Sequence, residues 1–266
     1  MLTTYSATIC VNEHVVAHLR DKFDEVTQRQ RDATSLVKAQ LTILYILEHQ
    51  TFRKLAKNFA IPKSSVNRFV HAGKELLAEK CHFKVVFDLT LLLQILLAHP
   101  QIREKGYVCI DTTLIWTANK YKKKYWSGKH KKTGVKTLVI TAPDGTPVWF
   151  SHTFPGSFHD MKILRLCKIV SVLELCGIGI VADKGFIGLD KDKHLHPRKK
   201  PKGGRLTRMD KEYNYWVTRL RIVVETPFSR LKNIEIMNKC RQRLYNVQSA
   251  FEAALGVFAL DERSWR

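Results

Sequence analysis

Acidic residues are scarce in this 266-residue chain: 24 Asp and Glu stand against 45 Lys and Arg, a formal net charge of +21. So large an excess repels itself unless a polyanion meets it, which makes nucleic acid the first partner to consider. The six cysteines (Cys10, Cys81, Cys109, Cys167, Cys176, Cys240) include no CxxC pair. Their spacing excludes a zinc module and a secreted disulfide framework, leaving reduced core thiols. No basic segment followed by an apolar run opens the chain, and the longest apolar stretch, Leu89 to Ala98, is interrupted by Gln94 and too short to span a bilayer. The expectation is a cytoplasmic or nucleoid protein, nuclear in a eukaryote, without a membrane partner. Also missing are the GxxxxGK[ST], strand-GxGxxG-helix, HExxH and GxSxG fingerprints, which sets aside ATP hydrolysis, nicotinamide chemistry and zinc proteolysis. What is present is 45% apolar and 10% aromatic sequence, enough for a sizeable core and too much for a disordered tail or a miniprotein.

Residues 1–100 read as a helical domain. Apolar positions recur at three- and four-residue spacing through Val15, Val16, Leu19, Phe23 and Val26, then through Ile43, Leu44, Ile46 and Leu47. Thr51 is placed to cap a short helix burying Phe52, Leu55, Ala56 and Phe59, and Ala60 to Lys63 makes a turn. Ser64 is placed to cap a second helix burying Val66, Phe69, Val70 and Leu77. Such a pair, about residues 41–78, is either an ordinary helical hairpin or a helix-turn-helix. In the second case it offers Ser65, Asn67 and Arg68 to bases and His71 or Lys74 to the DNA backbone. A further helix is expected from a cap at Asp88 to about His99.

From about residue 105 the pattern changes to strands, and residues 101–266 read as an α/β domain. Tyr107–Asp111 is an apolar run ending in a carboxylate. Lys136–Ala142 and Val148–Thr153 follow as strands with Asp144-Gly145 as their hairpin turn. Met161–Leu175 reads as helix, 179–182 as a buried strand ending at Asp183, and Met209 to about Lys239 as helix. Strand, strand, strand, helix, strand, helix matches a ribonuclease H-like mixed sheet flanked by helices. Two basic segments interrupt it. Residues 121–132 hold six lysines and three aromatics, among them Lys122, Lys123, Lys124 and Lys129 beside His130. An insertion at about 190–208 holds, from Lys191 to Arg208, eight Lys and Arg, including Lys199 and Lys200, against Asp192 alone. Each is either a solvated face or a phosphate and base-stacking surface.

Asp111, Asp183 and Glu225 each adjoin an apolar run, so each needs a compensating partner. A neighbouring Lys or Arg would serve, and so would a divalent cation. Several strings resemble the DDE transposase superfamily, specifically its Harbinger-like branch and small bacterial insertion-sequence transposases. They are IDTT (110–113), YWSGKHKKTGVKTLVI (125–140), DGTPV, PGSFHD (155–160), VADKGFIG (181–188) and VVETPFSRLK (223–232), in the family's order over about residues 105–235. The resemblance implies Asp111, Asp183 and Glu225 as catalytic metal ligands for two Mg²⁺ or Mn²⁺ ions. It implies an N-terminal helix-turn-helix and double-stranded DNA as the partner, both the terminal inverted repeats of the element and the target. It also implies strand hydrolysis followed by attack of the freed 3′-hydroxyl, in a dimer or larger homo-oligomer. Ser157 is read as a helix cap, with His159 and Asp160 in the first turn bracing the site; Lys129, His130 and Lys136 steer phosphates, and Lys232, two turns past Glu225, meets one. Pro227 implies a kink or a helix junction at Glu225. The alternatives are a transposase-derived DNA-binding regulator that does not cut, and a nuclease of the same fold that cuts without joining.

Overall fold

A computed structural model describes residues 13–26, 33–79, 89–117, 123–242 and 244–260. In chain order the helices α1 Glu13–Val26, α2 Ser35–Leu47, α3 Phe52–Phe59, α4 Lys63–Glu79, α5 Leu89–Ala98 and α6 Pro100–Lys105 come first. Next are β1 Tyr107–Thr117, β2 Trp126–Ser127, β3 Lys132–Thr141, β4 Pro147–Phe150 and β5 Phe154–Pro155. Then follow α7 Asp160–Cys167, α8 Ile169–Leu175, β6 Gly179–Val181, α9 Arg208–Arg221, α10 Glu225–Lys232, α11 Glu235–Asn238 and α12 Leu244–Leu260. None of the described helices is long and apolar enough to cross a membrane. Contacts divide the chain into a helical unit, residues 1–84 with 230–266, and an α/β unit, residues 85–229.

In the helical unit, Thr34 and Thr51 cap α2 and α3 by accepting from the Val37 and Lys54 amides. Ala60, in the left-handed region at φ 53°, closes α3. The expected faces are buried: Val15, Leu19 and Phe23 in α1, Ile43, Leu44 and Ile46 in α2, and Val66, Phe69, Val70 and Leu77 in α4. Two expectations need correction. Helix α4 begins at Lys63, so Ser64 lies in its first turn and is not the cap. And α12 packs on α4, so the helical unit is assembled from both ends of the chain and the boundary falls near 84, whereas 1–100 and 101–266 were expected. The hydrophobic face of α4 needs cover on both sides, and α2 supplies only one. The predicted cap Asp88 lies outside the described residues.

The α/β unit is built on a mixed sheet. β1 lies between β3, antiparallel to it, and β6, parallel to it; β2, β4 and β5 pair with β3. Side chains alternate across a strand. Val108 and Ile110 of β1 and Leu138 and Ile140 of β3 therefore face one core, which α5, α7 and α8 cover with Leu96, Ile163, Leu164 and Leu173. Cys109 faces the other way, its thiol donating to the Leu220 carbonyl of α9 at 3.4 Å. The mixed sheet flanked by helices is as expected, and so is the turn at Asp144-Gly145, where Asp144 Oδ1 accepts from the Thr146 amide at 2.8 Å and Gly145 has φ 90°. The 161–175 helix is in fact two, broken at Lys168 in the left-handed region.

Candidate active site

Asp111 is not the end of its strand. β1 continues to Thr117 through the β-branched and aromatic run Thr112 to Thr117, and Asp111 pairs with Val139 in mid-sheet. Its Oδ1 accepts from the Thr112 amide at 2.7 Å and its Oδ2 from Arg221 Nη1 at 3.0 Å. Burial first and the charge of Asp183 second push its carboxyl from an ordinary 3.8 up to about 6, against the lowering influence of the Thr112 amide, Arg221 and Lys129.

The parallel register explains why Asp183 acts on Asp111. Cys109 pairs with Val181, and Asp111 lies two residues further along β1 while Asp183 lies two residues past the end of β6. Asp183 caps the single 3-10 turn Lys184–Phe186, its Oδ1 accepting from the Gly185 amide at 2.7 Å. Gly185 is confined from two sides: a Cβ there would lie 2.6 Å from Asp160 Oδ2 and 2.8 Å from Asp183 Oδ1. Only glycine lets both carboxylates approach this backbone.

Asp160, at the start of α7, is buried. Its Oδ1 accepts from Thr112 Oγ1 at 2.6 Å and from Lys136 Nζ at 2.9 Å, and Lys136 also donates to the Phe158 carbonyl at 2.9 Å. Burial works to raise the Asp160 carboxyl, but the bonds from Thr112 and Lys136 outweigh it and hold it below its ordinary value. Lys136 is thus a buried counterion and does not steer phosphates as expected; Leu138 and Ile140 share its face, so the lysine is turned into the core. His159, not Ser157, is the cap of α7, with Nδ1 accepting from the Met161 amide at 3.4 Å, while the Ser157 hydroxyl donates to the Lys124 carbonyl.

Glu225 sits at a helix junction. α9 ends at Arg221, residues 222–224 tighten into a 3-10 turn, and α10 starts at Glu225, which places Pro227 in a first turn where its missing N–H is not needed. One guanidinium ties the junction to the sheet: Arg221 Nη1 donates to Asp111 and Nη2 donates to Glu225 Oε1, each at 3.0 Å. The sequence reading missed Arg221. Its signal was the i, i+4 spacing to Glu225 on the element carrying that glutamate. A second omission is the exposed aromatic pair on the same helix, Tyr215 and Trp216, with rings 5.6 Å apart and the Arg219 guanidinium over both.

The donor set fits a hard divalent cation. Two carboxylates lie near enough for the charge of Asp183 to raise the proton affinity of Asp111, and both present only oxygen. Among the described residues no group of three or more His, Cys, Asp or Glu is drawn close enough to hold a metal alone. Mg²⁺ is commonly bound by one or two carboxylates with water and phosphate oxygens completing its shell, and the Asp111–Asp183 pair meets that requirement.

Of the expected nucleic-acid contacts, Asn67 and Arg68 are exposed on α4, while Ser65 is buried on its inner side. Lys74 is buried too, with burial lowering its ammonium, so it does not reach a DNA backbone; His71 is half-buried. Both lie on turns of α4 that face the core, a consequence of its 3.6-residue period. Lys123, Lys124, Lys129, His130, Lys199, Lys200 and Lys232 are exposed, and Lys122 lies outside the described residues. The Lys129 charge acts on both Asp111 and Asp160. In the 190–208 insertion the chain is irregular, pinned by Arg198 Nη1 donating to Asp210 at 2.7 Å.

A family model described as DDE superfamily endonuclease matches residues 110–258, a span that includes Asp111, Asp183 and Glu225. The chain is 30% identical over 228 residues to the probable transposase for insertion sequence element IS702 of Microchaete diplosiphon, covering 83% of this chain and 79% of that one. A cryo-EM structure of a piggyBac transposase synaptic complex with hairpin DNA is similar with a TM-score of 0.49 and 11% identity, over 96% of this chain and 72% of that one.

Proposed function

Because this chain belongs to the DDE superfamily endonucleases, we propose that it is a DNA transposase that cleaves at the ends of its own mobile element and joins the freed 3′-hydroxyl to target DNA. The observation that supports this reading is a pair of carboxylates from separate elements, with a third linked to one of them through an arginine. Parallel pairing of β1 and β6 brings Asp111 beside Asp183, and Arg221 ties Glu225 to Asp111.

In this reading the mixed sheet is a ribonuclease H-like core, and Asp111, Asp183 and Glu225 hold Mg²⁺ or Mn²⁺, two ions per site. When bound, the ions polarise the scissile phosphate and lower the pKa of the attacking hydroxyl. The chain's own work is placement and charge. The Thr112–Asp160–Lys136 network fixes the strand behind Asp111, and Asp160 flanks Gly185 on the loop that carries Asp183. Lys129 and the exposed lysines at 123, 124, 199, 200 and 232 draw the DNA phosphates in, and His130 adjoins them. In the helical unit α3 and α4 form a helix-turn-helix whose Asn67 and Arg68 contact the terminal repeats. Paired ends require a dimer or larger homo-oligomer.

The deciding experiment incubates wild type and Asp183→Asn with Mg²⁺ or Mn²⁺ on a plasmid carrying the gene's own flanking DNA and maps every new 3′ end. Breaks at repeated ends and joined products are expected from the wild type alone. Full cleavage by Asp183→Asn would sink the assignment, and breaks without joined products would make the protein a nuclease.

A further inference from the structure

The helical unit contains a cavity of about 660 Å³ that the catalytic reading does not use. It is walled by the end of α2, the start of α3, the first turns of α4, and Arg241, Gln242 and Asn246. Its volume is in the range of small-ligand sites.

Its chemistry is selective. No acidic side chain lines it, whereas Lys63 and Arg241 do, so the ligand is an anion. One wall is aromatic: Tyr45 and Phe52 stack with ring centres 4.9 Å apart and planes 19° from parallel. The Gln242 amide donates to the Tyr45 hydroxyl and fixes that ring. Asn67, Gln242 and Asn246 bring three carboxamides, groups that offer a donor and an acceptor on one edge as a nucleobase does. The backbone bearing Arg241 is anchored, its amide donating to His49 Nε2 at 2.9 Å, while the side chain is exposed. A bare phosphate would need the cations but neither the aromatic wall nor the carboxamides. A paired base, stacked on both faces, has none to offer the wall.

We propose that this cavity binds a single unpaired deoxynucleotide, its base against the Tyr45–Phe52 wall with its edge toward the carboxamides, and its phosphate at Lys63 and Arg241. The choice of a deoxynucleotide rests on the reading that this protein acts on DNA. Arg241, Gln242 and Asn246 thereby join the start of α4 in recognising DNA, and the site prefers a base that has left the duplex stack.

The test titrates the full chain by calorimetry with deoxynucleoside 5′-monophosphates, with the same nucleosides lacking phosphate, and with inorganic phosphate. Wild type, Arg241→Ala and Phe52→Leu are compared, with melting temperatures recorded. A monophosphate binding more tightly than either part alone supports the site, as does a loss of about tenfold in Arg241→Ala, the size expected for a charge-assisted contact. Phe52→Leu keeps apolar bulk and should weaken the nucleotide without weakening inorganic phosphate. Equal binding of nucleotide and phosphate, or no effect of Arg241→Ala, overturns the proposal. In parallel, a duplex of the element end is compared with the same duplex carrying one bulged nucleotide. Preference for the bulge, lost in Arg241→Ala, is the expected result. Tight binding of both duplexes without preference would end the pocket proposal and leave the DNA reading standing, and binding of neither would end both.

Discussion

Asp111 stays ionised at neutral pH against burial and the adjacent charge of Asp183, which together raise its carboxyl from 3.8 to about 6. The folded chain therefore holds that proton more tightly than the unfolded chain does. Stability from this residue is complete below pH 4, declines as pH rises toward 6, and remains lower above it, by about 3 kcal/mol. Asp111→Asn, permanently neutral, should melt several degrees above wild type at pH 7.5, about 2–4 °C per kcal/mol for a chain of this size, and show no such gain at pH 4. The same variant should be inactive in cleavage. Mg²⁺ should raise the wild-type melting temperature at pH 7.5 and leave the variant unchanged, because a cation that neutralises the pair relieves the same repulsion. A wild type that outmelts Asp111→Asn at pH 7.5 without metal would show that the Arg221 contact outweighs burial. At this scale the aspartates were legible as charges ending apolar runs. Lys136 was not, because nothing local to a lysine in a basic chain distinguishes a buried counterion from a solvated one. Its partner Asp160 is 24 residues away in sequence and is brought to it by α7 folding over β3.

At the scale of elements, α4 and α12 pack without clearance. A Cβ on Gly256 would lie 2.2 Å from the Leu77 carbonyl oxygen, a backbone atom that cannot swing aside. Gly256→Ala should therefore destabilise the helical unit by about 1–3 kcal/mol despite the better helix propensity of alanine, read as a lower midpoint in urea unfolding by circular dichroism. An unchanged or raised midpoint would mean that the helices separate freely. This packing also shows where sequence pattern stops being informative. Apolar periodicity located α1 to α4 and the β3–β4 hairpin, since those signals are local. That α12 returns to α4 is a property of two surfaces far apart in the chain, and no window contains both. The extension of β1 past Asp111 was hidden for another reason: a carboxylate looks like a strand end, yet the strand carries it because Arg221 and a neighbouring amide meet it in mid-sheet. Helix starts slipped by a few residues where serines at 64 and 157 offered plausible caps that the backbone did not use.

For the molecule as a whole, the net charge of +21 predicts binding to DNA that weakens steeply with salt, while one buried group in each unit contributes to the acid response with opposite sign. In the helical unit His49 is buried, its imidazole lowered from 6.5 to about 4 by burial and then by the charge of Arg241. The unfolded chain takes up that proton first, so the contribution of His49 is complete above pH 6.5 and is lost as pH falls toward 4, at about 3 kcal/mol in full. Asp111 in the α/β unit gains stability over much of the same interval. Hydrogen exchange followed by mass spectrometry at pH 7 and pH 5, corrected for intrinsic exchange rates, should therefore show protection of α2 and α4 falling on acidification while that of β1 holds or rises. His49→Gln should abolish the fall in α2 and α4 without altering β1, and Asp111→Asn should do the reverse. Parallel loss in both units, unaffected by either substitution, would mean that the pH response comes from the overall charge and not from these two buried groups.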